Sequence, residues 1–302
     1  MKTVIRRMQD TAAESGLWER LRREGWNITE ELESVQKSHS RSNDGEVCLV
    51  VTDTLEGARY AKERNLACLG LERPKAGVHF FGVDMATEDL SSVEGSFLQL
   101  VWKRHWKLPW EIAQTPRLVL RESVLEDLEA FYRIYEDEEI TAYIPGMPVD
   151  KEQGKEELEA YISQIYPLFG YGLWTVIEKE TGQVIGRAGL EHTGDSDGEG
   201  AMLELGYVIG KLWQGKGYGT EALLQMTLFC FRNTELQRLW AEVDVRNIAS
   251  QRMLEKCGYI KEGVIRQGRM INPWCDYCIY GILASDMTEK TPQDHRLAET
   301  RV

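Results

Sequence analysis

The sequence predicts an α/β protein in two parts: a small parallel α/β module, then a larger mixed, mostly antiparallel sheet flanked by helices. Three observations predict it. Up to about residue 105, continuous apolar runs alternate with helical stretches, the order that builds a parallel sheet. Beyond residue 115, strand patterns joined by turn residues appear, which is an antiparallel signal. Between them, Pro109 and Pro116 bracket a segment in which both patterns break, and a boundary is expected at 107 to 115.

The bulk properties narrow the function. The 302 residues suffice for two domains at roughly 150 residues each. At 42% hydrophobic and 28% charged, the chain has the composition of a folded protein with real cores. Its formal charge of −13 argues against nucleic acid as a partner, because backbone phosphates are bound by clustered Lys and Arg. The same charge suits a cationic substrate such as an amine. Met1 to Asp10 is basic, but no apolar run follows to make a signal peptide. No stretch approaches the ~20 apolar residues that span a bilayer. A cytoplasmic protein without a membrane partner is expected, and homodimer formation is left open. The six cysteines sit in apolar segments and read as small hydrophobes in a reducing compartment. Cys275 and Cys278 are three apart on an expected strand, so they point to opposite faces. With no second pair and no His at ligand spacing, no metal or redox role is expected.

The elements follow in order. Residues 1 to 36 are charged and amphipathic and read as helical, with a polar loop over 37 to 46. Val47 to Thr52 is a strand, Leu55 to Asn65 a helix, and Leu66 to Leu71 and Val78 to Val83 are strands. Ser91 to His105 is a helix with Ser91 or Ser92 as its N-cap. This first module is assigned residues 1–112. In the second, Arg117 to Arg121 is a strand, and Val124 to Tyr135 and Lys151 to Tyr166 are helices around a loop holding Pro145 and Pro148. Strands Tyr171 to Glu178 and Val184 to His192 meet at the turn Glu180-Thr181-Gly182, and Thr193 to Gly200 is a polar, glycine-rich loop. Met202 to Ile209 is a strand, Gly219 to Asn233 a helix, Leu239 to Val245 a strand and Ile248 to Lys256 a helix. Tyr259 to Arg266 and Trp274 to Leu283 are the last strands. The second domain is assigned 115–287 and a polar tail 288–302.

The chemistry centres on Gln214-Gly215-Lys216-Gly217-Tyr218-Gly219, a glycine-rich turn between a strand and a helix. The first turn of a helix leaves backbone N–H groups unpaired, and the helix dipole places partial positive charge there. A diphosphate satisfies both, and Gly217 and Gly219 let the backbone approach it. Lys211 and Lys216 add charge nearby. The spacing is neither that of the nucleotide triphosphatase loop nor a Gly-x-Gly-x-x-Gly in its first-strand position. A turn of this kind can also be only a turn.

A second element at a consistent distance decides between these readings. After the helix come Leu239 to Arg246, then Asn247-Ile248-Ala249-Ser250 opening a helix that ends Lys256-Cys257-Gly258-Tyr259. Together with Gln214, Gly217 and Gly219, these residues resemble the two cofactor motifs of the GNAT superfamily of N-acetyltransferases. Glu204-Leu205-Gly206-Tyr207 and Trp213 are similar to the branch that acetylates protein N-termini, including those of ribosomal proteins. The resemblance covers roughly residues 115 to 287. It implies acetyl-CoA as co-substrate, held by Val208, Ile209, Gln214, Gly215, Lys216, Gly217, Tyr218, Gly219, Thr220, Asn247 and Ser250. It also implies direct attack by a primary amine, of a protein N-terminus or a small molecule, in a ternary complex without an acyl-enzyme. The thioester oxygen then needs a donor, expected from the backbone at the splayed end of Tyr207-Val208-Ile209. The ammonium needs a base, for which Glu204 and Glu242 are the candidates; Glu191, His192 and Asp276 also lie near the expected cleft. Some relatives use a Tyr in the helix after the Asn motif as the thiolate's acid. Met253-Leu254 carries no hydroxyl there, which leaves Ser250, otherwise a first-turn residue making a local hydrogen bond. The alternative function is an idle acyl-CoA-binding module. Acceptor selection is expected from the acidic segments 130 to 151 and 193 to 200.

Val50 to Ala58 with Ala61-Lys62 resembles a late motif of haloacid-dehalogenase-like phosphatases, in which an Asp after a strand, here Asp53, helps hold magnesium. The family's Asp-x-Asp nucleophile pair is missing. The first module therefore reads as a degenerate α/β unit for scaffolding or substrate recognition rather than phosphoryl transfer.

Overall fold

The computed structural model describes residues 2–9, 15–30, 46–73, 82–192, 203–234, 236–270 and 274–289. The chain divides into two compact units, Met1–Trp110 and Glu111–Val302.

The first unit runs β1 (Lys2–Arg7), α1 (Ser15–Arg23), β2 (Asn27–Thr29), β3 (Val47–Thr52), α2 (Leu55–Glu63), β4 (Ala67–Leu71), β5 (Met85–Thr87) and α3 (Gly95–His105). Its five strands form one sheet in the order β2-β1-β3-β4-β5, every pair parallel. Successive side chains alternate between faces. Val4, Leu49, Val51 and Leu69 pack on one face with Trp18 and Leu21 of α1 and Leu98 and Trp102 of α3. Ile5, Val50 and Cys68 pack on the other with Ala61 of α2. Burial on both faces is why the strands are continuous apolar runs.

Two expectations for this unit are corrected, its first element and the cap of α3. The chain begins with a strand, because Val4 and Ile5 are both fully buried on opposite sides of the backbone. The run Val78 to Val83 lies mostly outside the described residues, and the next described strand is β5. The start of α3 also differs: neither Ser91 nor Ser92 caps it. The Glu24 carboxylate, 71 residues away, accepts from Gly95 N–H at 2.9 Å, a long-range cap invisible to local spacing.

The second unit runs β6 (Glu111–Gln114), β7 (Leu118–Arg121), α4 (Leu128–Tyr135), α5 (Glu138–Thr141), α6 (Lys151–Ala160), a π-helical turn over Tyr161–Ile165 and α7 (Tyr166–Phe169). Next come β8 (Leu173–Glu178), β9 (Val184–His192), β10 (Leu203–Ile209), α8 (Tyr218–Asn233), β11 (Arg238–Asp244), α9 (Ile248–Lys256), β12 (Ile260–Met270), β13 (Trp274–Leu283) and α10 (Ala284–Glu289). The eight strands order as β12-β13-β11-β10-β9-β8-β7-β6. Only β10 and β11 pair parallel; the other neighbours are antiparallel. The segment expected to be a boundary, Trp110 to Thr115, thus supplies a strand, because Glu111 to Gln114 pairs with β7. The polar loop over 193 to 200 lies outside the described residues, as does the tail from 290.

Helix α8 buries Tyr218, Ala222, Leu223, Met226, Thr227 and Cys230, a stripe at helical period. Trp174 on β8 is fully buried and meets Phe229 edge-on at 5.4 Å. A polar network fixes the helices before β8. Asp127 receives Arg121 through two bonds of 2.7 Å and Thr175 at 2.8 Å. Tyr166 donates to Leu173 O at 2.6 Å and accepts from Ser123 N–H at 3.0 Å. Every member has a partner, the condition under which a buried polar cluster specifies one arrangement.

Candidate active site

Strands β10 and β11 share a single register pair, Glu204 with Trp240. On its other edge β10 is paired with β9 from Leu203 to Ile209. On its other edge β11 is paired with β13 throughout. Beyond Glu204 and Trp240 the two strands diverge, and each presents a backbone edge with no strand across from it. Buried amides and carbonyls without partners are costly, so such a gap in a sheet interior is a place for a ligand's polar groups.

The gap opens into a cleft of about 480 Å³ lined by β9, β10, β11 and the helices and loop between β7 and β8. Because side chains alternate, Glu204, Glu242 and Asp244 lie on one face with Glu191, which sits opposite Glu204 in register. All four carboxylates line the cleft, as does Glu157 from α6. Arg187, the one cation among the lining residues, is held against the rings of Phe131 and Tyr161 at 4.8 and 5.7 Å. The cleft therefore favours a cationic ligand group.

Asp244 ends β11 and is fixed by its neighbour. Arg246 donates through its backbone N–H at 2.8 Å and through Nε and Nη2 at 2.9 and 2.5 Å. These bonds hold the Asp244 carboxyl below the usual carboxylate range. A group with a depressed folded pKa adds stability above its unfolded value, about 3.9, and loses it as pH falls through the folded one. Asp244→Asn should therefore cost about 2 kcal/mol near neutral pH, typical of hydrogen bonds to a charge. The difference from wild type should shrink below about pH 4. Melting curves at both pH values check this; an undiminished difference in acid would contradict it.

The other face of the gap belongs to α9. The Asn247 side chain caps this helix, accepting from Ser250 N–H at 3.1 Å. Ser250 Oγ lies 2.5 Å from the Tyr207 hydroxyl. Burial pushes the Tyr207 hydroxyl well above its ordinary pKa, so it stays protonated. Asn247, Ser250 and Tyr207 all reach the cleft.

The glycine-rich turn follows β10 and leads into α8. Gly217, at φ +86, is the N-cap of α8, and no side chain caps the helix. Its left-handed backbone is the reason for glycine there. Gln214 folds back, its amide donating to Ile209 O at 2.9 Å, so it braces the turn. Tyr218 turns inward and its hydroxyl donates to Glu178. This bond is the main reason the Glu178 carboxyl sits below the usual range. A Cβ on Gly219 would lie 2.7 Å from Met253 Sδ, so that side chain would have to shift to admit it. Val208 is buried against Ile134 and Ile140, and the Thr220 carbonyl accepts from Cys257 Sγ at 3.8 Å. Gly215 and Lys216 are exposed on the turn, whereas Lys211 is paired with Glu139.

The structure adds Arg117, which sequence spacing missed. Its guanidinium binds Glu221 at 2.6 Å and the Lys216 carbonyl at 2.9 Å, and stacks 4.5 Å over the Tyr218 ring. It locks the turn from about a hundred residues upstream, where no local signal marks it. Uncapped helical amides, an exposed turn and an adjacent cation suit a diphosphate, so the donor set fits the expected co-substrate.

Residues 117–260 match the acetyltransferase (GNAT) domain family. The uncharacterised N-acetyltransferase YoaA of Bacillus subtilis (strain 168) is 30% identical over 163 residues, 52% of this chain and 86% of that relative. The chain belongs to the GNAT acetyltransferase family. It is an N-acetyltransferase. The ribosomal protein uS5-alanine N-acetyltransferase of Escherichia coli (strain K12) is 31% identical over 121 residues, 40% of this chain and 60% of that relative. In fold, the transferase is similar to the ribosomal-protein-S5-alanine acetyltransferase of Vibrio fischeri, with a TM-score of 0.50 and 19% identity over 59% of this chain and 98% of that one. Among the described residues no helix of the transferase is long and apolar enough to cross a membrane.

Proposed function

We propose that the chain transfers an acetyl group from acetyl-CoA to a primary amine by direct attack within a ternary complex. The observation that carries this reading is the divergence of β10 from β11 beyond Glu204, beside a helix start without a side-chain cap. Acetyl-CoA supplies the thioester. The amides from Gly217 to Thr220 hold its diphosphate, with Arg117 and Lys216 alongside. The open edge of β10 at Val208 and Ile209 takes the pantetheine and offers a donor to the thioester oxygen. Glu242 takes the ammonium proton: it is on β11, one same-face step beyond the last paired residue, Trp240, and lines the cleft. Glu204 is the second candidate for that role; it is 8% exposed at the closed end of the gap. Orientation of the two reactants supplies much of the rate.

The acceptor class follows from charge. Five carboxylates around one arginine suit an ammonium group. The relative that acts on the alanine of uS5 favours a protein α-amine over a small amine. On this reading residues 115–287, with β6, are the catalytic domain. The first module serves scaffolding or recognition: the Asp53 carboxylate accepts from Gln9 N–H at 2.8 Å and pairs with Arg73 at 3.2 Å.

The test is acetyl-CoA turnover against a panel of peptide α-amines and small amines, on wild type and Gly217→Trp. The variant is expected to raise the KM for acetyl-CoA about tenfold or more, equivalent to about 1.4 kcal/mol of lost binding. Coenzyme A binding without turnover of any amine would sink the reading. An unchanged KM in the variant would contradict the placement of the diphosphate.

A further inference from the structure

The geometry points to Tyr207 as a positioning residue that aims the Ser250 hydroxyl proton at the leaving thiolate of coenzyme A. This rests on the proposed acetyl-CoA site. A serine hydroxyl has one proton to donate and two lone pairs to accept with. Ser250 N–H is already committed to the Asn247 side chain, and Ser250 Oγ is 2.5 Å from the Tyr207 hydroxyl. The Tyr207 hydroxyl has no other hydrogen-bond acceptor among the described residues, and a buried O–H left unpaired is costly, so Tyr207 donates and Ser250 accepts. The serine proton must then point elsewhere, and the open direction is the cleft that both residues line.

Tyr207 occupies this place because β10 alternates. Glu204 faces the carboxylate side, and Tyr207, three residues on, faces α9. In relatives where a Tyr of the helix serves the thiolate, the matching stretch here is Met253-Leu254, of which Leu254 is fully buried. A hydroxyl on the strand thus does through Ser250 what the helix does not supply.

The step balances without net proton transfer from either hydroxyl. The ammonium first gives one proton through Glu242 to solvent; the free amine nitrogen then bonds to the carbonyl carbon, and its second proton passes to the Glu242 carboxylate. The C–S bond breaks with its electron pair going to sulfur. Ser250 donates a hydrogen bond to that thiolate, and Tyr207 keeps its proton, as burial requires. A thiol of ordinary pKa near 8.5 needs only such a bond to leave as an anion.

The test uses the full chain with coenzyme A and with acetyl-CoA. Ultraviolet titration of bound coenzyme A should show its thiol ionising at lower pH than free coenzyme A. The shift should vanish in both Tyr207→Phe and Ser250→Ala. In turnover, Tyr207→Phe should lower kcat about tenfold, as expected for a lost hydrogen bond to a charge. The KM for acetyl-CoA should stay within about twofold, since uniform binding is untouched. The double variant should be no slower than Ser250→Ala alone, because both act through one bond. Wild-type thiol titration in Tyr207→Phe, or a double variant with multiplied losses, overturns the assignment while leaving the acetyl-CoA site intact. Failure of the wild type to bind coenzyme A at all overturns that site as well.

Discussion

Glu242→Gln is expected to lower kcat at least about a hundredfold, the usual loss when a positioned general base is removed. The amide is nearly isosteric, so the cleft keeps its shape and the affinity for coenzyme A should stay within about twofold. What changes is proton acceptance: an acceptor amine is mostly protonated at neutral pH, and only its free base attacks. Activity of the variant should therefore recover in part as pH rises and solvent takes over deprotonation. Glu204→Gln should have the smaller effect, because Glu204 lies in the paired part of β10 and at the closed end of the gap. Initial rates at saturating acetyl-CoA from pH 6 to 10 separate the two. If Glu204→Gln proves the more damaging, the roles are exchanged.

Gly189→Ala is expected to destabilise the second unit by about 3 kcal/mol or more, at the upper end of overpacking losses. A Cβ on Gly189 would stand 1.9 Å from the carbonyl oxygen of Gly172 and 2.7 Å from Leu173 Cα. Both are backbone atoms, and Leu190 N–H is bonded to that same carbonyl at 3.1 Å. No side-chain rotation relieves the clash, so β8 and β9 must separate. Gly189 lies between Arg187 and Glu191, and their presentation to the cleft goes with it. Urea unfolding is the measurement; a midpoint equal to wild type would show that the strands yield more easily than their pairing implies.

The order of strands and helices after residue 115 was legible because glycine turns and apolar periods are local signals. Gln214 to Gly219 and Asn247 to Ser250 could likewise be found from spacing alone. The first 36 residues misled, since charged flanks around Val4 and Ile5 have the appearance of an amphipathic helix; that both are core on opposite faces depends on pairing with Leu49 and Val50, 45 residues away. Individual roles at the site were less legible than its location. Tyr218 and Gln214 sit within the motif, yet their side chains go to Glu178 and to Ile209 O. Tyr207 stood out only within Glu204 to Tyr207, with nothing to show where its hydroxyl goes, and Arg117 carries no local mark at all. Their partners, Ser250 and Glu221, are 43 and 104 residues away, and only the folded sheet brings them together.

The lone register pair between β10 and β11 also bears on how durable the protein is. Two strand edges in the middle of a sheet face no strand across the gap, so a ligand that fills it adds to the stability of the folded state. A ligand held at a hundred times its dissociation constant raises unfolding free energy by about 2.7 kcal/mol. On the proposed reading, thioester supply sets the lifetime of the folded chain as well as its turnover. A cell depleted of acetyl-CoA would hold a softer enzyme, more open to proteolysis at the core of its sheet.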